Sequence, residues 1–252
     1  MYDIQKADLW KRISAWLFDF ILLVIAVVGV AFLLSVVLNY DGYAKQLEDV
    51  KIACEKEYGV ELDISEEEYN EKSEADRALY DQAQKAFTHN ETAGRAYSMM
   101  VNFTFLIVVF SILIATLLLE FLVPLLLQNG QTLGKKIFGV GVMREDGVKI
   151  APIILFIRTV LGKYTIETMI PVMVLLMFWF GTMGILGVVL IAAILIAQIV
   201  SVASSRTRMM IHDRLAHTVT VDLASQKIFD TPEALLEYRK KIAQARAQNA
   251  DY

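Results

Sequence analysis

Residues 164–203 read YTIETMIPVMVLLMFWFGTMGILGVVLIAAILIAQIVSVA and carry almost no charge except Glu167. A single helix over this stretch would be about 60 Å long at 1.5 Å per residue, about twice the thickness of the hydrocarbon core of a bilayer. The stretch therefore predicts two membrane-spanning helices, Tyr164–Phe180 and Ile185–Ala203. The glycines between them favour a tight turn, because glycine permits the backbone angles that a turn needs.

Two earlier stretches predict further spans. Trp16–Leu38 is broken only by a few polar or small residues, and Met99–Leu127 is interrupted by Glu120 and Pro124. Each is long enough to cross the hydrocarbon core. The first is too long for a signal peptide, and no Ala-x-Ala-like site closes it, so we expect an uncleaved span. With 56% hydrophobic and 21% charged residues, the chain is more apolar than an ordinary soluble domain.

Lys and Arg in the short polar segments predict the orientation, because these residues are retained on the cytoplasmic side. Basic residues cluster before span one, between spans two and three, and after span four, at Lys6, Lys11, Arg12, Lys135, Lys136, Arg144, Lys149, Arg206, Arg208 and Arg214. Four spans place these three segments on one side. We therefore expect a multi-pass membrane protein with both termini in the cytoplasm.

The outer segment between the first two spans is acidic and predicts a helical insert. Tyr43–Tyr58 and Ser65–Phe87 contain no proline and are rich in good helix formers. Gly59 would end the first helix, and Ser65 with Glu68 fits a capping box for the second. A solvated helical hairpin and a partner-binding surface both remain open for this insert.

The inner segments predict a small β element and a terminal helix. Val140–Met143 and Val148–Ile150 flank an Asp-Gly turn signal and predict a hairpin, to which Thr218–Val221 could add a third strand. Thr231 and Pro232 then open a helix at the cap and first helical position. The fold class is an all-α membrane protein whose segments are 1–38, 39–98, 99–127, 128–163, 164–203 and 204–252. Within 128–163 we expect a short interfacial helix at Ala151–Leu161.

Each span carries a polar side chain at similar depth in its cytosolic half. These residues are Asp19, Glu120, Glu167 and Gln198. Charges inside hydrocarbon are costly and often functional. If Asp19 and Glu120 are adjacent, one carboxyl would hold its proton and could exchange it for a cation. The alternative is structural, with Asp19 paired to a basic residue that fixes helix packing.

Two polar motifs flank the last two spans. The loop Gly130-Gln131-Thr132-Leu133-Gly134-Lys135-Lys136 lacks the hydroxyl that a P-loop requires after its lysine, so we expect a tight turn with interfacial lysines. His212-Asp213-Arg214 follows span four, and its histidine spacing does not suit a metal. The single cysteine, Cys54, excludes an intramolecular disulfide. We expect no cofactor, no metal, no enzymatic activity and no nucleic-acid binding.

Three segments together resemble the RDD family of bacterial membrane proteins, which is named for one Arg and two Asp residues. They are Arg12–Asp19, the glycine loop from Gly130 to Gly139, and His212–Val221, so Arg12, Asp19 and Asp213 match the name residues. The acidic insert lies outside the resemblance, and His217 stands where a glycine is common. The family's activity is poorly defined, and the resemblance implies transport of an unknown ligand or Na⁺/H⁺ antiport.

These patterns lead to two hypotheses. In the first, a homo-oligomer exchanges protons for Na⁺ or another small cation. Asp19 is then the exchange carboxylate, Glu120 its like-charged neighbour, and Arg12 with Asp213 an inner-gate ion pair beside Arg214. In the second, the protein is a non-transporting scaffold that binds protein partners through its outer hairpin or C-terminal helix.

Overall fold

The computed structural model describes residues 4–127, 129–181 and 184–250. Within these ranges, four helices are long and apolar enough to cross a membrane. We call them spans 1 to 4: Leu9–Val37, Glu91–Leu126, Pro152–Trp179 and Ile185–Ser204. With a small two-stranded sheet beside them, they confirm an all-α membrane protein.

The elements follow in chain order, with two π-helical segments inside spans 2 and 3. They are α1 Leu9–Val37, α2 Tyr40–Tyr58, α3 Glu66–Glu71, α4 Glu74–Thr88, α5 Glu91–Thr116, π1 Leu117–Leu122, α6 Val123–Leu126, α7 Leu133–Ile137, β1 Val140–Arg144, α8 Pro152–Phe156, π2 Ile157–Met169, α9 Ile170–Trp179, α10 Ile185–Ser204, α11 Ile211–Leu215, β2 Thr218–Asp222 and α12 Pro232–Ala250.

Span 3 differs from its prediction. The expected interfacial helix at 151–161 is the first part of a continuous helix, because π2 joins α8 to α9 without a break. Two threonine hydroxyls support the wide turns by donating five residues back, Thr165 to Val160 O (2.8 Å) and Thr168 to Lys163 O (2.9 Å). The sequence suggested a short helix because Arg158 interrupts the apolar run, but the structure buries this arginine.

The chain divides into two compact units, and residues 28–111 form one of them. Its helix α2 ends at Gly59, which has a φ of 67°, as predicted. The Ser65–Glu68 capping box is also present. The predicted helix 65–87 is instead split into α3 and α4, because Ser73 caps α4 separately. A small core of Cys54, Leu62 and Ala83 holds this insert together.

The other unit contains the described parts of residues 1–27 and 112–252. Its sheet pairs β1 with β2 antiparallel, with Val142 opposite Thr220. The predicted turn after β1 forms, since Arg144 N donates to Val148 O (2.9 Å). Of the predicted strand 148–150, only Lys149 pairs with β1, through an isolated bridge to Met143. The predicted addition of Thr218–Val221 forms the regular strand β2.

Side chains from the sheet and the following segments form the cores that support the spans. Met143, Val219 and Val221 are fully buried on the sheet. Phe229 and Leu235 pack with Val148, which anchors the start of α12. Thr231 caps α12 as predicted, by accepting from Ala234 N at 3.2 Å.

Candidate functional site

Asp19 on span 1 binds the glycine loop. Its Oδ1 accepts from the backbone N–H of Gly134 at 2.7 Å, and its Oδ2 accepts from the Thr132 hydroxyl. Thr132 also caps α7, since its side chain accepts from Lys135 N. Gly134 must be glycine for this contact, because a Cβ there would clash with Ala15 O and lie 2.9 Å from Asp19 Cγ. The loop is thus a docking site for span 1.

Glu120 on π1 is buried and pairs with Lys163 on π2. The two π segments also meet where the Thr159 hydroxyl donates to Glu120 O at 3.1 Å. π-helical turns are rare and are frequent at functional sites. Here they bring an acid from span 2 and a base from span 3 into direct contact.

Arg158 and Asp213 form a buried ion pair. The guanidinium donates Nε–H (3.0 Å) and Nη2–H (2.8 Å) to Asp213 Oδ1, which also accepts from the Thr218 hydroxyl at 3.2 Å. Burial alone would raise the pKa of Asp213, but the positive charge and hydrogen bonds of Arg158 hold that pKa far below its usual range. The pair therefore joins π2 to α11 with both charges present.

His212 extends this network to Glu167. Its Nδ1 lies 2.8 Å from Glu167 Oε2, and its Nε2 lies 3.0 Å from Arg158 Nη2. A guanidinium has no acceptor, so Nε2 must accept and Nδ1 must carry the hydrogen. His212 thus links α11 to two residues of π2.

Three cations nearby have no carboxylate within 4.0 Å in the described ranges, namely Arg12, Lys135 and Arg208. Arg12 donates instead to the carbonyls of Thr207 (3.4 Å) and Arg208 (2.9 Å). Burial, together with the positive charges of Arg158 and Lys163, lowers the pKa of Lys135 to about 8 against the opposing Glu120 and Asp19. Positive charge is thus concentrated in this region.

These groups surround a cavity of about 590 Å³. Its polar wall carries five cations and three carboxylates: Arg12, Lys135, Arg158, Lys163 and Arg208 with Asp19, Glu167 and Asp213. Its apolar wall comes from spans 1 and 4, including Trp16, Ile191 and Leu195. Such a cavity can bind a small molecule that has one charged end and one apolar end.

The model of the RDD family matches residues 6–217, which is most of the chain. The chain belongs to the RDD family. No curated protein and no solved structure matches it. The match covers spans 1 to 4 as well as the acidic insert.

The predicted site residues of this RDD protein take different positions. Asp19, Arg12, Lys135 and Asp213 line the cavity. Glu120 faces a narrow crevice that Asp19 also lines, so the two acids lie near each other, but each has its own partner. In the loop, Gln131 donates to Val140 O at 2.9 Å, Gly130 has a φ of 60°, and Lys136 is exposed.

Two predicted contacts differ in the RDD protein. The expected Arg12–Asp213 ion pair is replaced by Arg158–Asp213, because π2 carries Arg158 directly against α11. Arg214 lies outside the cavity lining and donates to Ser204 Oγ at 2.8 Å. It therefore holds the end of span 4 rather than a gate.

The sequence interpretation missed two basic residues of the site. The sequence did contain a signal for them, because Arg158 and Lys163 are two basic residues, five positions apart, in an otherwise apolar region. A spacing of five places them on one face only in a π-helix, which an α-helical pattern does not consider. Among the described residues, no group of three or more His, Cys, Asp or Glu could hold a metal ion.

Proposed function

We propose that this RDD family protein is a transport-type membrane protein and that the charged cavity is its site for an anionic solute. The observation that supports the proposal is the cavity itself, whose ionisable lining includes five side chains from spans 1 and 3. Such side chains are costly in hydrocarbon and commonly mark a solute pathway. A water-filled void of this size would not need five cations.

The balance of charge favours an anion over a cation. The five cations of the lining face three carboxylates of the lining, and Glu120 adds a fourth through Lys163. Among these Lys, Arg, Asp and Glu side chains, one positive charge is left over. A bound anion would neutralise it, whereas a bound cation would add to it.

The sequence-based hypothesis of proton exchange for Na⁺ or another small cation is less well supported by the geometry. Asp19 would be the exchange carboxylate, yet it already accepts from Thr132 and Gly134. A cation would have to compete with both donors. The hypothesis stays a prediction, and the same experiment tests it.

The experiment uses proteoliposomes with the full chain. One assay measures the uptake of radiolabelled phosphate and glycerol phosphate and the transfer of a labelled anionic phospholipid between leaflets. A second assay measures proton flux under Na⁺, K⁺ and Li⁺ gradients. We expect at least one anionic probe to move, about tenfold more slowly in Lys135→Gln, since one charged hydrogen bond is lost. The control Lys136→Gln removes the neighbouring exposed lysine and should match wild type.

Cation-driven proton flux that is lost in Asp19→Asn, with no movement of any anionic probe, would overturn the proposal in favour of cation exchange. Four spans leave little room for a pathway within one protomer, so we further propose a homo-oligomer of the bacterial plasma membrane with cytoplasmic termini. A mass measurement of the purified protein by light scattering tests the oligomer.

A scaffold or regulatory role is the second candidate. The observation that favours it is that the insert, residues 39–98, has a core of its own within the compact unit of residues 28–111. Its charged surface and the polar helix α12 are suited to bind protein partners. Transport through the cavity should not require the insert, whereas a scaffold role through the outer hairpin should.

A further inference from the structure

The charged side chains that line the cavity leave one positive charge without a carboxylate to balance it. Two cations of the lining have carboxylate partners, in the pairs Arg158–Asp213 and Lys163–Glu120. The remaining cations, Arg12, Lys135 and Arg208, face only two remaining carboxylates. One negative charge is missing, and a phosphodiester supplies one.

The opposite wall of the cavity is apolar and continuous with the surface of the spans. Trp16 and Leu195 line the cavity, yet 51% and 59% of their surface stays exposed. In a bilayer these exposed faces contact lipid chains, because the spans are long enough to cross the hydrocarbon core. The cavity is thus open toward the acyl region through apolar side chains.

The volume and the apolar wall favour an occupant larger than a bare ion. Water takes about 30 Å³ per molecule in the liquid, so the cavity would hold on the order of twenty waters around a small ion. Water against Ile191, Ile194 and Leu195 is unfavourable, because these side chains offer no hydrogen bond. An occupant with an apolar part would cover this wall.

Resting on the function proposed above, we propose that the solute of the cavity is an anionic phospholipid of the surrounding leaflet. Its phosphate lies among Arg12, Lys135 and Arg208, and its acyl chains lie along the wall of spans 1 and 4. Basic pockets between transmembrane helices are suited to anionic lipid head groups. A zwitterionic lipid of the same chain length fits less well, because its amine adds a positive charge to a cavity that already has an excess.

Trp16 provides a local probe of this binding. The chain has three tryptophans, and replacing Trp10 and Trp179 with Phe leaves Trp16 as the single emitter. The protein is placed in nanodiscs of phosphatidylcholine with a small, equal mole fraction of either dibrominated phosphatidylglycerol or dibrominated phosphatidylcholine. Bromine on the acyl chain quenches Trp16 only when the chain lies beside it.

We expect stronger quenching by the brominated phosphatidylglycerol than by the brominated phosphatidylcholine. Lys135→Gln should lower the apparent affinity for phosphatidylglycerol about tenfold, since one charged contact to the phosphate is lost. Lys136→Gln is the matched control and should leave quenching unchanged. If Lys135→Gln does not fold, as judged by its thermal melting, Arg208→Gln removes another of the three cations proposed to bind the phosphate, and the same loss of affinity is expected.

Several results would overturn the proposal. Equal quenching by both lipids would show that the head group is not recognised. An equal loss in Lys136→Gln would show that surface charge alone attracts the lipid. Displacement of the phosphatidylglycerol by soluble glycerol phosphate at low concentration would show that the head group suffices and that the acyl chains contribute nothing.

The lipid assignment and the transport function can fail independently of each other. If phosphatidylglycerol quenches Trp16 selectively but no anionic probe crosses the bilayer, the lipid site stands and transport fails. If glycerol phosphate is transported but quenching is not selective, transport of an anion stands and the lipid assignment fails.

Discussion

Lys135 is the residue whose charge can be changed within the physiological range. It makes no salt bridge within 4.0 Å among the residues described, and its pKa is lowered to about 8 mainly by burial. It is therefore charged below about pH 8 and becomes neutral as the pH rises above that value. The groups that act on it are Glu120 and Asp19, which favour its charge, and Arg158 and Lys163, which oppose it.

The first prediction follows from this titration. Between pH 7 and pH 9 the affinity for brominated phosphatidylglycerol should fall, by up to about tenfold, because Lys135 loses its charge. Lys135→Arg keeps the charge over the whole range and should give a nearly flat profile. The measurement is Trp16 quenching at a series of pH values. The same fall in both proteins would contradict the role of Lys135.

Asp213 is the residue whose loss should be most damaging to stability. Asp213→Asn would leave Arg158 buried with an unpaired charge, which costs about 3 kcal/mol, at the low end of the range because Asn keeps an oxygen acceptor. Unfolding of the purified protein in a graded denaturing detergent measures this loss. The control Asp230→Asn removes a carboxyl that is 89% exposed, and should change the free energy of unfolding by less than about 0.5 kcal/mol. Comparable losses in both variants would show that the ion pair contributes nothing specific.

At the scale of elements, the junction of span 1 with α7 depends on one glycine. Gly134→Ala should displace the loop from Asp19, because the added Cβ meets the backbone of span 1. We expect a loss of about 1–3 kcal/mol, as for other overpacked sites. Faster hydrogen exchange at the amides of 133–137 should accompany the loss.

Gly29→Ala is the matched control for this variant. Gly29 is also helical, but a Cβ there would meet nothing within 4 Å. Alanine has the higher helix propensity, so stability should stay the same or rise by up to about 1 kcal/mol. Equal behaviour of the two alanine variants would mean that the loop does not pack against span 1 as described.

The elements also show where sequence patterns stop being informative. Caps were predictable, because Ser65, Gly59 and Thr231 act through contacts with neighbours in the chain. The pairing of β1 with Thr218–Val221 was also predicted, but the reduction of 148–150 to isolated bridges was not, because it depends on packing across the sheet. The π segments were missed for a similar reason. Their wide turns are held by pairs such as Glu120 with Lys163, which the local pattern does not contain.

At the scale of the whole molecule, the division into two units predicts that the cavity can bind its solute without the acidic insert. The cavity lining comes entirely from residues 1–27 and 112–252. Deleting residues 45–90 removes α3, α4 and most of α2, together with their core of Cys54, Leu62 and Ala83. If the cavity is the solute site, selective quenching of Trp16 by phosphatidylglycerol should persist in this variant.

The same deletion variant also tests the scaffold role. Loss of a copurifying partner together with unchanged lipid binding would assign partner binding to the insert and leave the cavity as a separate site. Loss of lipid binding in a deletion variant that still melts cooperatively would contradict the independence of the cavity from the insert.

The sequence by itself determined the membrane class and the four spans, and it singled out Asp19, Glu120 and Asp213 as buried-charge candidates. It did so because the lengths of apolar runs and the cost of charges in hydrocarbon are properties of the local chain. Only the tertiary structure decided which base meets which acid. Arg158 rather than Arg12 pairs with Asp213, because side chains far apart in sequence compete for one carboxylate, and the packing of π2 against α11 settles that competition.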